Sequence, residues 1–154
     1  MTKYDMQTSP GPLIRRFHQI GLSILDSELQ GLDVTPLQFS IMWVLQKHSG
    51  IDQVTLAQYV ALDRTTCSNI VTLLEKKGRL RRKTDPMNKR AKLVYLSASG
   101  KKLLEKATRP MENTQKKMLE PLSAEEKKVF LSCLQKLVDS GNELSRAPMR
   151  YMGH

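Results

Sequence analysis

The sequence predicts a mainly α-helical fold carrying one small β-hairpin, and three observations lead there. Between Leu56 and Gly78 two short helical patterns meet at a tight turn, the second with Cys67, Ile70 and Leu74 at spacings of three and four. Two β-prone runs follow at once, residues 80–84 and 91–96, around the turn-rich tip Asp85-Pro86-Met87-Asn88-Lys89-Arg90. Long amphipathic helical patterns flank this block on both sides. A helix–turn–helix followed directly by a basic hairpin is a winged helix. The expected organisation is therefore a winged helix-turn-helix lobe over 35–97, dimerisation helices over 11–34 and 98–145, and flexible ends over 1–10 and 146–154.

Taken in order, Pro12 suits the first turn of a helix in which Leu13, Phe17, Ile20 and Ile24 step by four, three and four. Ile14, Gly21 and Leu25 form a second row beside them, so the apolar face is wide. Gly31-Leu32-Asp33-Val34 breaks the pattern, and Thr35 with Pro36 reads as a cap and a first-turn proline. Residues 36–48 are apolar nearly all round and should form the buried strut. Residues 51–54 should be short and extended, with Thr55 capping the first helix of the pair and Asp63 capping the second. Gly78 falls where a helix end needs a left-handed residue, behind Lys76 and Lys77, which complement the helix dipole. After the hairpin a long helix opens at Ser97-Ala98-Ser99-Gly100, and Pro110 should bend or split it. Ser123-Ala124-Glu125-Glu126 is a capping box for a last helix bearing Val129, Phe130, Cys133, Leu134, Leu137 and Val138 and reaching about Leu144. The outer helices carry more apolar surface than the lobe can cover, and a second copy is the simplest cover, which predicts a homodimer.

The chain has 154 residues and a net charge of +10. Twelve Lys or Arg and only Glu75 and Asp85 lie between Arg64 and Lys102, so that segment alone accounts for the whole excess. Charge concentrated in this way is the footprint of a nucleic-acid contact. No apolar run reaches the roughly 18 residues of a membrane span, and the opening residues lack the apolar stretch of a secretion signal, so a cytoplasmic protein without membrane contact is expected. Two cysteines have neither disulfide-framework nor metal-ligand spacing, and His18, His48 and His154 are dispersed. With no nucleophile elbow, phosphate loop or metal-binding pair, no enzyme, metal site or cofactor is expected.

The face of the second short helix opposite its apolar stripe carries Arg64, Thr65, Ser68, Asn69 and Thr72. A face built only for solvation would carry long Glu, Lys and Gln, which favour helix more than Thr, Ser and Asn do. Short hydrogen-bonding groups suit a helix that must approach base edges and phosphates. The residues expected at DNA are these five with Thr66, together with Lys83, Asn88, Lys89 and Arg90 of the hairpin.

Leu56-Ala57, Leu74-Glu75-Lys76-Lys77-Gly78, Pro86-Met87-Asn88-Lys89-Arg90-Ala91 and Leu96-Ser97-Ala98-Ser99-Gly100, in register from about Thr35 to Leu144, resemble the MarR (multiple antibiotic resistance regulator) family. The resemblance implies a dimeric winged-helix transcription factor, usually a repressor on an inverted-repeat operator, often released by a small aromatic or phenolic ligand. It places the wing arginine that enters the minor groove at Arg90 and base-reading positions at Thr65, Ser68 and Asn69. Asn88 stands where the family usually has an Asp that orients that arginine, and Ser97 where it usually has Thr. The block from Pro10 to Ile20 resembles a subgroup controlling catabolism of aromatic carboxylates, including nicotinate-type acids.

The family's effector position, between the dimerisation helices and the DNA-binding lobe, directs attention to Arg16, His18, Ser40 and Trp43 as ligand residues. An Arg would pair a carboxylate and the Trp ring would stack on an aromatic ligand. The competing reading makes His18 a core or interface histidine and Trp43 a packing residue. The expected function is a ligand-responsive repressor of aromatic-compound catabolism. The alternatives are a redox-sensing regulator acting through Cys67 and a winged-helix module for protein or RNA contact. For Cys67 and Cys133 inert packing thiols are the expected state.

Overall fold

The computed structural model describes residues 5–152; residues 1–4 of the expected flexible N-terminus, and 153–154 of the tail, lie outside them. Gln7 N–H and the Thr8 hydroxyl both donate to the Asp5 carboxylate, and helix α1 runs over Pro10–Glu28. Helix α2, Pro36–Lys47, opens on the Thr35 cap, with Gln38 returning its side chain to the Thr35 N–H. That reciprocal box satisfies the amide oxygen of the buried Gln38. α2 is the strut: Ile41, Met42, Val44 and Leu45 are buried, and α2 touches α3 (Gln53–Tyr59), α4 (Arg64–Lys76), β3 (Lys92–Leu96) and α5 (Ala98–Met118). Around it the core gathers Leu25, Leu56, Val71, Leu74, Leu80, Val94, Leu96 and Leu104.

β2 (Leu80–Thr84) pairs antiparallel with β3, Leu80 opposite Leu96 and Thr84 opposite Lys92. A two-residue strand β1, Ile51–Asp52, adds to the other side of β3, giving the order β1-β3-β2. The fold is thus a winged helix with six α-helices and a small three-stranded sheet among the described residues.

Local detail departs from the expectations or adds to them at four places. Asp52, not Thr55, caps α3: its carboxylate accepts from the N–H groups of Val54 and Thr55 and from the Thr55 hydroxyl. A carboxylate out-competes a hydroxyl as a cap because its bonds to N–H are charge-assisted. Of the two outcomes expected at Pro110, splitting does not occur: α5 runs as one helix from Ala98 to Met118. Helix α6, Ala124–Gly141, ends one turn earlier than expected, passing into a 3-10 turn over Asn142–Leu144. The described part of the tail is hydrogen-bonded: the Asn142 amide bonds both the N–H and the carbonyl of Met149, and the Arg150 N–H donates to the Gln58 carbonyl.

α1 packs along α5, where Glu28 accepts from Asn113 and Lys117. By contrast α6 buries none of its residues in the single chain, although Leu131, Leu137 and Val138 are apolar.

Candidate nucleic-acid interface

The reading head is assembled by caps at both ends of α4. Asp63 accepts from the Thr66 N–H at 2.9 Å and from the Thr66 hydroxyl at 2.6 Å. Those bonds, the hydroxyl's first, hold its carboxyl below the usual carboxylate range. Its capping stability is therefore present at neutral pH and fades as acid protonates it. Ala61 in the turn before it adopts φ 52°, a left-handed position that costs an L-residue about 1–2 kcal/mol. At the other end Gly78, φ +69°, turns the chain out of the helix into β2. Cys67, Val71 and Leu74 face the core, so the buried stripe runs through Val71 where the sequence pattern pointed to the half-buried Ile70.

On the opposite face Arg64, Thr65 and Asn69 are exposed and Ser68 and Thr72 half-buried. The structure thus brings five of the six expected α4 residues to one open surface. Thr66 is the exception, since its hydroxyl is committed to the Asp63 cap.

The basic segment divides into anchoring and free charges. Glu75 grips Arg82 through its main-chain N–H at 3.0 Å and its Nε at 2.8 Å, tying the end of α4 to the first wing strand. Arg82, before other contributions, is what lowers the Glu75 pKa. Asp33 holds Lys77 at 2.8 Å and Arg79 at 3.0 Å. Lys77, Arg79 and Arg82 are therefore struts and leave the set available to a polyanion. Arg81 and Lys83, two apart on one strand, share a face and each sits 5.7 Å from the Tyr95 ring centre. Arg81 belongs with the expected Lys83; the period of two could have found it.

At the wing tip the Asn88 side chain accepts from the main-chain N–H of Arg90 at 3.1 Å. Asn88 therefore orders the turn, and among the described residues the Arg90 guanidinium has no hydrogen bond or ion pair. Asn88, Lys89 and Arg90 are all exposed.

A cleft of about 460 Å³ opens between α1, α2 and α5. His18, Ser40 and Trp43 line it, as expected for three of the four candidate ligand residues. Arg16 does not; two residues of helix turn it about 200° from His18, and it is exposed elsewhere. Glu112, Gln115 and Met111 from α5 complete the wall, residues that sequence reasoning assigned only to packing or passed over. The Ser40 hydroxyl already donates to the Pro36 carbonyl at 3.0 Å.

Cys67 has no exposed surface, and burial, followed by the nearby Asp63 charge, pushes its thiol up to about 11. Such a thiol is a poor nucleophile, which removes the physical basis of a Cys67 redox switch. In a Cys133→Ser variant at pH 8, a thiol-reactive dye should label nothing until denaturant is added. Rapid labelling of the folded protein would restore the switch. Because the folded-state pKa is raised, the neutral thiol's stabilisation holds below the ordinary value of 9.0 and is lost as pH climbs towards about 11.

A sequence model of the MarR family matches residues 34–92, the span from the α2 cap to the second wing strand. The transcriptional regulator HosA of Escherichia coli O111:H- is 30% identical over 108 residues, 70% of this chain and 80% of HosA. The HTH-type transcriptional repressor NicR of Pseudomonas putida is 27% identical over 139 residues, 90% of this chain and 88% of NicR. The crystal structure of the PcaV transcriptional regulator from Streptomyces coelicolor, in complex with its natural ligand, superposes with a TM-score of 0.83 at 28% identity. The match covers 92% of this chain and 99% of that one. Sequence, fold and the open polar face of α4 agree: the chain belongs to the MarR family, a winged-helix DNA-binding transcriptional regulator and not an enzyme.

Proposed function

We infer that this regulator is a repressor that sits as a homodimer on an inverted repeat and leaves it when a small aromatic carboxylate enters the cleft between α1, α2 and α5. The observation that carries this reading is the position of that cleft: its wall includes α2, the strut that also supports the recognition helix α4. Dimerisation through the outer helices is supported by a second, apolar groove of about 410 Å³ lined by Leu13, Phe17, Leu122, Phe130 and Leu134, next to the uncovered apolar side chains of α6. A partner seated there would hold the two copies of α4 at a fixed separation, as successive major grooves require. Within each half-site Asn69, Ser68 and Thr65 would meet base edges while Arg64, Lys83, Lys89 and Arg90 meet backbone and minor groove.

Aromatic acids are favoured by the cleft's chemistry: an indole for stacking, an imidazole as the one side chain there able to pair a carboxylate, and Glu112 with Gln115 for a ring hydroxyl or ring N–H. The solved complex of PcaV with its natural ligand supports ligand control in general, and the resemblance of residues 10–20 to regulators of aromatic-carboxylate catabolism favours this ligand class. Any such ligand would act by favouring a dimer whose α4 spacing no longer fits DNA, which demands unequal affinity for the two states.

Trp43 is the chain's sole tryptophan, so its fluorescence reports cleft occupancy directly. Titration with a panel of hydroxylated benzoates and pyridine carboxylates should change Trp43 emission and, over the same concentrations, release a labelled duplex taken from upstream of the gene. His18→Ala should weaken the response to carboxylates by roughly ten-fold, the loss of one charged hydrogen bond, and spare DNA binding. Release without any change in Trp43 emission, or an unaffected His18→Ala, would remove the cleft from the mechanism.

A further inference from the structure

The recognition helix is not alone at its own entrance. After α6 the chain folds back along the DNA-binding lobe, held there by three ties to the lobe and braced by contacts within the tail and to α6. The Asn142 amide bonds both polar main-chain groups of Met149, at 3.0 and 2.8 Å, closing an eight-residue loop. The Arg150 N–H donates to the Gln58 carbonyl at 2.9 Å, and the Arg150 guanidinium lies 5.7 Å from the Tyr59 ring centre. The Tyr151 hydroxyl donates to Asp139, and Met152 packs against the core. At the far side of this loop stands Arg146, exposed and, among the described residues, without a hydrogen bond or ion pair from its guanidinium.

Arg146 and Pro148 form one wall of a groove whose other wall is Val54, Gln58, Asp63 and Arg64. Those residues belong to α3 and to the start of α4, the part of a helix-turn-helix that meets the duplex. Asp63, the acidic group of the groove, keeps its charge, but it is turned to the Thr66 amide and hydroxyl as the α4 cap and, among the described residues, makes no ion pair with either arginine. Arg64 and Arg146 present two guanidinium groups to one groove, neither of them in an ion pair among the described residues. Two cations open to solvent along one groove suit phosphates of a nucleic-acid strand. We propose that Arg146 is a DNA backbone contact, delivered in cis by the folded-back tail beside the N-terminal end of α4. It carries no sequence information; its part is affinity and register. Holding the loop closed before binding spares the ordering cost that a free tail would add.

The inference rests on α4 being the helix that docks on duplex DNA, and the test separates the two. Full-length protein, Arg146→Ala, Arg146→Lys and Lys128→Ala are titrated against the labelled upstream duplex at several salt concentrations. Lys128 lies near the opposite end of α6 and controls for the loss of one positive charge. Arg146→Ala should bind roughly three- to ten-fold more weakly, with the slope of log affinity against log salt shallower by about one per bound chain. Arg146→Lys should recover most of the slope, and Lys128→Ala should match the unsubstituted protein. An unchanged slope for Arg146→Ala, whether or not affinity falls, would overturn the contact, as would an equal effect of Lys128→Ala. Failure of the unsubstituted protein to bind the duplex would overturn the docking of α4 and this contact together.

Discussion

Gly100→Ala is expected to lower stability by about 3 kcal/mol, seen as a clear drop in the urea midpoint with an unchanged slope. A Cβ at this position would lie 2.1 Å from the Arg79 carbonyl oxygen and 2.7 Å from Leu96 Cδ1. The carbonyl cannot retreat freely, because it accepts the Ser97 N–H at 3.0 Å. Beside it the hydroxyls of Ser97 and Ser99 both donate to the Gly78 carbonyl, at 2.7 and 2.8 Å. This knot joins the end of α4, the base of the wing and the start of α5, so the substitution must part elements that together aim the DNA-binding surface. Helix propensity argues the other way, since alanine is better than glycine inside a helix by about 1 kcal/mol. The clash wins because its contact is with backbone, which cannot rotate away as a flexible side chain would. DNA affinity should fall alongside, because displacing β2 moves the wing relative to α4. A variant as stable as the parent would mean that α5 does not sit this close to the wing.

What could be read from the sequence was whatever is written in short-range pattern. Asp63 and Gly78 mark the ends of α4 because caps act within three residues. The wing is legible because its two strands and their tip are contiguous. The strut α2 declares itself because a helix apolar on nearly every side has nowhere to go but the interior. Long-range pairing is what escaped. Nothing near Glu75 says that it will hold Arg82, nor near Asp33 that it will hold Arg79, forty-six residues away. The basic segment therefore overstated its free charge by three side chains. Arg16 follows from the family's effector position and its positive charge; the helical angle between it and His18 leaves it outside the cleft's lining. The tail escaped because Asn142 looks like an ordinary surface residue until Met149 folds over it. Short, terminal and broken by Pro148, that segment has the local marks of a loose end.

Asn69→Ala and Arg90→Ala should separate the two kinds of DNA contact that the head offers. Asn69 is exposed on the open face of α4 with no internal partner among the described residues, so its amide is free to make the bidentate pair that adenine accepts. Removing it should cost about 1–3 kcal/mol of discrimination in each half-site, roughly a ten- to hundred-fold loss against a duplex altered at one base pair. Binding to unrelated DNA should stay as it was, and so should the salt slope. Arg90 is expected to behave in the opposite way. Its main chain is fixed by Asn88 while its guanidinium is free at the wing tip, well placed for the negative potential of a narrow minor groove. Arg90→Ala should weaken every duplex and flatten the salt dependence by about one per chain, with base preference at the α4 positions retained. Asn88→Asp completes the comparison, because a carboxylate there could recruit the guanidinium that the amide leaves alone. If Asn69→Ala flattened the salt slope while Arg90→Ala kept it, α4 would be lying along the backbone with the wing in the major groove. The docking would then be inverted although every element of the fold stayed where it is.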